Sequence, residues 1–430
     1  MPPVNKLNFF SKHLAMWLSQ ADWHFVTLLS TAIECVDELP DDCDSLINEL
    51  LLRYPEKPSE PALAGHLQSS YRLSSWFKRG QSAPKIMRFN LDSPTFIERD
   101  NREYPRIDTP GDLADWLKIT PSQLEWFSNC WRFDSNTPRY LQHYQYQLME
   151  KRDGRMRLIE KPKTTLKRLQ RKIYQEILST LETHPAVHGF RKDRNCISHA
   201  SVHTGKKYLL MFDITDCFQS IHWPMVKVVF KRMGYPDAVS ILLTALCTHS
   251  VRLKPAQLKL FDTAQRNRLR QRHLPQGAPT SPALTNAALH RLDIRLTGLA
   301  HHFGLDYSRY ADDLAMSGNT HRDWRFLEPL IGGICLDEGV TLNYKKTRIK
   351  KSHQKQRVVG IVVNSKTNID RNYFDTLKAI LTNCTKYGLD SQNRYRHPHF
   401  RAHLLGRIQY VKSLNERRGA KLEKLYQAIN

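Results

Sequence analysis

No two of the eight cysteines, at positions 35, 43, 130, 196, 217, 247, 335 and 384, form a Cys-x-x-Cys pair. That spacing excludes a zinc ribbon and offers no disulfide framework of the kind small secreted domains use, so buried or free thiols are expected. No run of about 18 apolar residues exists, and no cleavable signal pattern follows Met1. The chain therefore reads as soluble and cytoplasmic, with no membrane partner. Internal repeats and low-complexity segments are absent too. Acid is in short supply: 42 Asp and Glu face 65 Lys and Arg, for a net charge of +23. A content of 40% hydrophobic and 10% aromatic residues excludes a disordered basic tail. At roughly 150 residues per domain, 430 residues suit about two or three domains, each able to bury a core.

The excess charge is not spread evenly. Residues 1–100 carry 10 basic and 13 acidic side chains, leaving 55 and 29 for residues 101–430. Basic residues concentrate in 147–172, 252–272 and 345–357, each stretch interrupted by apolar residues as a folded surface would be. Phosphate binding with counterion release is the usual reason to tolerate such self-repulsion, which points to a polyanionic partner.

Helical spacing runs through residues 5–53 (Leu14, Trp17, Leu18, then Phe25, Leu28, Leu29, Ile33), and Pro55, Pro58 and Pro61 break it. Thr120, Pro121 and Gln123 form a helix-start signature, so two short helices are expected between Asp112 and Trp126. Trp116, Trp126 and Trp131 are expected in the core. Leu166–Leu181 reads as an amphipathic helix. Tyr208–Ile214 reads as a buried strand whose end presents an Asp, and helices and strands then alternate to about Asn364. Residues 371–429 return to helix.

Two segments carry chemistry. Tyr310-Ala311-Asp312-Asp313, with Tyr307 before and Leu314-Ala315-Met316 after, suits a tight hairpin that projects two carboxylates from a sheet edge. Burying such acids without cations is costly, so a divalent metal is their natural partner. The second segment, Phe212-Asp213 through Ile221, ends an apolar strand on Asp213 and places Phe218 five positions later. Phosphoryl transfer by two metals needs carboxylates from separate strands, and Asp213 with Asp312 and Asp313 supplies that set. The paired histidines at 301–302 and 397/399, and Cys247 with His249, complete no metal site and read as satisfied polar groups.

The order Asp213…Phe218, then Gln276-Gly277-Ala278-Pro279-Thr280-Ser281-Pro282, then Tyr310-Ala311-Asp312-Asp313, then Leu342-Asn343-Tyr344-Lys345-Lys346-Thr347 resembles the palm of reverse transcriptases. The resemblance covers roughly residues 106–430. It implies an α/β (α+β) right-hand polymerase: a helical N-terminal extension (1–105), fingers and palm (106–369) and a helical thumb (370–430). It further implies an RNA-directed DNA polymerase that adds dNTPs with two Mg2+ ions, or Mn2+ in their place, held at Asp213, Ile214, Asp312 and Asp313. Lys151, Arg157, Asp216, Cys217, Phe218, Gln276 and Gly277 would meet the incoming nucleotide, with Phe218 beside its ribose and Lys346 protonating the leaving pyrophosphate. Solvated roles for Lys346 and Arg157, a turn at Gln276-Gly277 and a core role for Phe218 are the plainer alternatives. Arg191, Arg194, Arg268, Arg270, Arg272, Lys350, Lys351 and Gly360 would contact the nucleic acid, Gly360 in a hairpin that grips the primer end.

Leu113–Leu117, Leu124–Phe127, Gly205-Lys206-Lys207 and Val362-Val363-Asn364 make the chain most similar to bacterial retron or retron-like, defence-associated reverse transcriptases, of the long form with an N-terminal extension. The chain stops soon after the thumb, which disfavours a group II intron enzyme. Two departures stand out: His199-Ala200-Ser201-Val202-His203 carries His where that family has Asn, and Val358-Val359-Gly360 replaces its Val-Thr-Gly. Both sites are linked in the family to recognition of its RNA. The implied partners are a structured noncoding RNA as template and primer, an RNA–DNA hybrid product, dNTPs and an effector protein in antiphage defence. Two other readings keep the fold: a defence-associated enzyme outside the retrons, and an idle RNA-binding scaffold for an effector. Three intact, mutually repelling carboxylates favour a working polymerase over the scaffold.

Overall fold

The computed structural model describes residues 4–37, 40, 42–77, 84–86, 104–128, 142–151 and 154–429. Cys130 and Trp131 lie outside these residues. The chain divides into two compact units: one runs to Thr180 and includes His222–Thr280, and the other comprises Leu181–Ile221 and the residues from Ser281 onward.

The first unit opens with helices Val4–Leu18, Phe25–Cys35, Cys43–Arg53, Glu60–Ser69 and Tyr71–Ser75. Their apolar stripes converge on a core containing Phe10, Leu14, Leu18, Leu28, Leu46, Ile47, Leu50, Leu63 and Leu67. Each such side chain contributes about 1.5–3 kcal/mol on burial, which lets helices too short to persist alone hold together. Pro61 does not break this pattern but sits in the first turn of Glu60–Ser69, where its missing N–H has no helical partner to lose. Two-residue strands β1 (Val36–Asp37) and β2 (Lys85–Ile86) pair antiparallel beside these helices.

Helices Pro110–Leu117 and Pro121–Ser128 follow. Thr109 with Asp112 forms a capping box at the first, and Thr120 with Gln123 makes the reciprocal bonds of one at the second. Trp116 is half-buried, its Nε1 donating to Glu176 at 2.9 Å under the Lys172 ammonium, and Trp126 is 37% exposed. These tryptophans therefore flank the core instead of filling it, because Leu113, Leu117 and Leu124 take the inward face of each short helix. Strands β3 (Tyr144–Glu150) and β4 (Met156–Pro162) form an antiparallel hairpin. Helix Thr164–Glu176 buries Leu166, Leu169 and Ile173 at helical spacing, and helices Trp223–Arg232, Asp237–Cys247 and Thr263–Arg270 complete the unit's larger elements.

The second unit is built on a four-stranded antiparallel sheet of order β6-β7-β5-β8. Its strands are β5 (Tyr208–Asp213), β6 (Asp306–Tyr310), β7 (Asp313–Gly318) and β8 (Arg348–Lys351). Strands β9 (Arg357–Val358) and β10 (Ile361–Val362) form a separate hairpin. Leu209 of β5 and Ala315 of β7 pack into one cluster with Val358, Ile361, Leu377, Leu381, Leu404, Ile408, Val411 and Leu422. That cluster ties the sheet to helices Arg371–Tyr387, Phe400–Leu414 and Glu416–Gln427, whose apolar periodicity is the one read from the sequence. Among the described residues all seven cysteines are free thiols, and no helix is long and apolar enough to cross a membrane.

Candidate active site

Strand β5 is apolar because both its faces are covered; Leu209, Leu210 and Phe212 are at most 2% exposed. It ends on Asp213, directly opposite Asp313 of β7 in register. Tyr310 pairs with Asp313 across the β6–β7 hairpin, so Ala311 and Asp312 form its two-residue turn. Ala311 adopts φ +58°, a left-handed conformation that disfavours any residue with a Cβ, and the Asp312 carbonyl accepts the Ile214 N–H at 2.9 Å. The carboxyl groups of Asp213 and Asp313 thereby come from the ends of adjacent strands β5 and β7, and that of Asp312 from the β6–β7 turn.

Burial, then the nearby Asp312 and Asp213, push the Asp313 carboxyl up to about 7, with Lys346 pulling it down. Asp213 is 6% exposed and accepts Lys346 Nζ at 2.8 Å on Oδ1 and Asn343 Nδ2 at 3.3 Å on Oδ2. Its backbone carbonyl also takes the Asn343 N–H at 2.7 Å, which brings Leu342–Thr347 to the end of β5. Ile214 is a core side chain, 1% exposed, so its backbone carbonyl is the only atom it could offer a metal. Among the described residues no three His, Cys, Asp or Glu side chains already converge as a closed metal cluster. The oxygen-only donor set, in which burial and neighbouring acids raise Asp313 and an ammonium sits on Asp213, nonetheless fits a hard divalent cation that would neutralise the crowded charge.

Beyond β5 the chain turns at Asp216 (φ +44°) into the single helical turn Cys217–Ser220. Cys217 is buried, and that burial, with Asp312 next in effect, pushes its thiol up to about 12. Phe218 is half-buried, its ring centroid 6.0 Å from that of Phe190. Gly189 lies against the hairpin: a Cβ there would sit 2.5 Å from the Ala311 nitrogen. Arg191 is half-buried and Arg194 exposed, with Arg194 Nη1 3.3 Å from the His188 ring. On β8 Lys350 is half-buried and Lys351 exposed, and Gly360 (φ +82°) forms with Val359 (φ +47°) the turn between β9 and β10.

The remaining candidates lie in the first unit. Arg157 is exposed on β4 and Lys151 is half-exposed at the end of β3. The Gln276 carbonyl accepts the Glu160 N–H at 2.9 Å, and a Cβ at Gly277 (φ +134°) would come within 2.9 Å of the Glu160 carbonyl oxygen. The Gln276-Gly277 turn is therefore seated on the backbone of the strand that carries Arg157. Arg268 is half-buried and Arg270 exposed. Arg272 differs from a phosphate contact: its Nη2 donates to the carbonyls of Ser128, Ala245 and Thr248, closing the end of helix Asp237–Cys247, and its guanidinium stacks on Trp223 at 4.9 Å.

Two buried networks behind the hairpin were missed by motif reading. Arg309 on β6, fully buried, holds Asp293 through Nε (2.8 Å) and Nη2 (2.7 Å), while its Nη1 reaches Asn286 Oδ1 and the Ala311 carbonyl, both at 3.1 Å. Asn286 in turn donates to the Gly189 carbonyl at 3.0 Å. The second network runs Ser317 Oγ to His203 Nδ1, His203 Nε2 to Ser308 Oγ, and Ser308 Oγ to His199 Nδ1, each 2.7 Å. Burial, then neighbouring His203 and His188, lowers His199 to about 2; burial, then His188 and Lys206, lowers His203 to about 3. Both rings are fully buried, so this departure from the family pattern lies in the interior of the second unit. The available signal was polar residues, Ser308 and Arg309, inside an otherwise buried strand, since a buried polar group demands a partner.

With this geometry in hand, the comparisons with known proteins are specific. The family described as "Reverse transcriptase (RNA-dependent DNA polymerase)" matches residues 149–363, half of the chain. The retron Mx65 reverse transcriptase of Myxococcus xanthus is 36% identical over 319 residues, covering 74% of this chain and 70% of that one. The retron Mx162 enzyme of the same organism is 34% identical over 60% of this chain and 54% of its own, and the retron Ec86 enzyme of Escherichia coli is 32% identical over 55% and 68%. The chain belongs to the retron reverse transcriptases and is an RNA-directed DNA polymerase with the mixed helix-and-sheet fold of that class.

Proposed function

We propose that this polymerase copies a structured noncoding RNA into DNA by two-metal phosphoryl transfer from dNTPs, as the enzyme of a retron-type antiphage defence system in the cytoplasm, with an effector protein as partner. The observation that carries the chemistry is the register of Asp213 opposite Asp313, with Asp312 in the adjoining β6–β7 turn and Lys346 on Asp213. Asp213, Asp312, Asp313 and the Ile214 carbonyl would hold two Mg2+ ions. Bound there, the metals would lower the barrier by activating the primer hydroxyl and neutralising charge on the leaving pyrophosphate. Lys346, half-exposed at the same carboxylate, would hold a proton near the pyrophosphate. Phe218 would stand beside the ribose, and Arg157 with Lys151 and Gln276-Gly277 would order the triphosphate and nascent pair.

Residues 106–369 would then be fingers and palm, 370–430 the thumb and 1–105 an extension. Primer extension on a generic RNA template with Mg2+ tests the reading. Asp312→Asn and Asp213→Asn should abolish nucleotide addition while RNA binding persists, because metal neutralisation is lost but the basic surface is not. Extension retained in either variant would refute the site, and wild-type RNA binding without any extension would favour the idle scaffold.

A further inference from the structure

The loop 388–399, between helices Arg371–Tyr387 and Phe400–Leu414, presents the most exposed large hydrophobic side chain among the described residues: Tyr395, at 97%. A tyrosine left wholly in water is unusual, since its ring loses the burial that makes it useful in a core. Here it is presented on a built tip. Asn393 clamps both backbone groups of His397, its Oδ1 accepting the His397 N–H at 2.7 Å and its Nδ2 donating to the His397 carbonyl at 3.0 Å. Inside the clamp the Arg396 N–H donates to the Asn393 carbonyl at 3.0 Å, and Arg396 takes φ +50°. The base of the loop is anchored by Ser391 on the Gly388 carbonyl (2.7 Å) and by the His397 ring stacked 4.9 Å from His403 of the following helix.

Arg394 and Arg396 flank Tyr395, both exposed, and neither makes an ion pair with another described residue. A protein partner's apolar patch would call for apolar neighbours around the ring, and a membrane surface for more than one aromatic. A π-face between two unpaired guanidinium groups matches instead an unpaired nucleotide, whose base stacks while its flanking phosphates meet the arginines.

We propose that Tyr395, Arg394 and Arg396 form a binding site for unpaired nucleotides, separate from the polymerase centre. The site rests on the reading that this chain handles an RNA template and a DNA product, and either strand could supply the unpaired base. The clamp pre-orders the backbone that carries the ring, so stacking needs little further ordering of the loop.

The test uses the full chain freed of nucleic acid. Affinity is measured for a hairpin with a wide unpaired loop and for the same stem with a minimal loop, in RNA and in DNA, and the ratio of the two isolates the unpaired nucleotides. Tyr395→Ala should lower that ratio by about tenfold or more, as loss of one stacked base does, while Tyr395→Phe and Tyr395→Trp retain it. Arg394→Ala with Arg396→Ala should flatten the salt dependence for the wide loop by roughly 0.7 for each phosphate no longer neutralised. A loss confined to the RNA hairpins assigns the site to the template, and one confined to DNA assigns it to the product. Thermal melting and extension of a plain primed template by Tyr395→Ala should match wild type. An unchanged ratio in Tyr395→Ala, or an equal loss in Tyr395→Phe, overturns the proposal. Failure of wild-type extension would instead refute the polymerase reading and leave this ratio interpretable.

Discussion

The buried guanidinium of Arg309 shows how much a single residue behind the acids can govern. Its bidentate bond to Asp293 leaves one nitrogen for the Ala311 carbonyl, in the turn that carries Asp312. Asp293→Asn would leave a buried charge without its counterion and should destabilise the fold by about 3–5 kcal/mol, read from denaturant unfolding. Arg309→Lys should destabilise the fold too although it keeps the charge, because an ammonium cannot reproduce the planar fork. In the proposed site Phe218 would make a different kind of demand, one of exclusion. A rigid ring beside the ribose rejects a 2′-hydroxyl by collision, so Phe218→Ala should raise use of ribonucleotides relative to deoxyribonucleotides by about 10- to 200-fold in competitive incorporation. An unchanged ratio in a variant that still folds would return Phe218 to a packing role against Phe190.

Among the elements, the β9–β10 hairpin carries a visible local conflict. Its two-residue turn requires φ above zero at both central positions, and Gly360 meets that without strain, whereas Val359 is β-branched and held at φ +47°. Val359 is also half-buried against the cluster that joins sheet and terminal helices, so packing offsets the strain. Val359→Asn should be more stable than Val359→Thr by about 1 kcal/mol, since both introduce a polar group of similar size and only Thr keeps the β-branch. Equal melting temperatures for the two would mean that the turn carries no strain. The β6–β7 hairpin follows the same logic with Ala311, where bonds from Arg309 and Ile214 to the turn carbonyls hold a conformation the residue itself disfavours.

For the molecule as a whole, the buried histidines predict a pH response. His199 and His203 titrate far lower in the fold than the ordinary value of 6.5, so below about pH 6.5 the unfolded chain binds protons that the native state refuses. Stability should therefore be full above that pH and fall as pH drops, by about 1.4 kcal/mol per pH unit for each ring. Calorimetry between about pH 7.5 and pH 5 checks this, and a His203→Gln variant should show a shallower fall. Much of the molecule was legible in its sequence. Apolar period marked the helices between Asp112 and Trp126, the one from Leu166 and the terminal helices, and capping chemistry marked the start at Thr120, because such signals are local. The acids at 213, 312 and 313 were picked out by the order of four motifs that resembles the palm of reverse transcriptases, since an adjacent acid pair alone is more often a turn or a helix cap. What local pattern could not decide was pairing across distance. That Arg272 closes a helix end, that His199 and His203 turn inward onto serines, and that Asp293 neutralises Arg309 depend on which groups folding brings within about 3 Å, where hydrogen bonds form. Sequence spacing carries no such information, and only the tertiary structure supplies it.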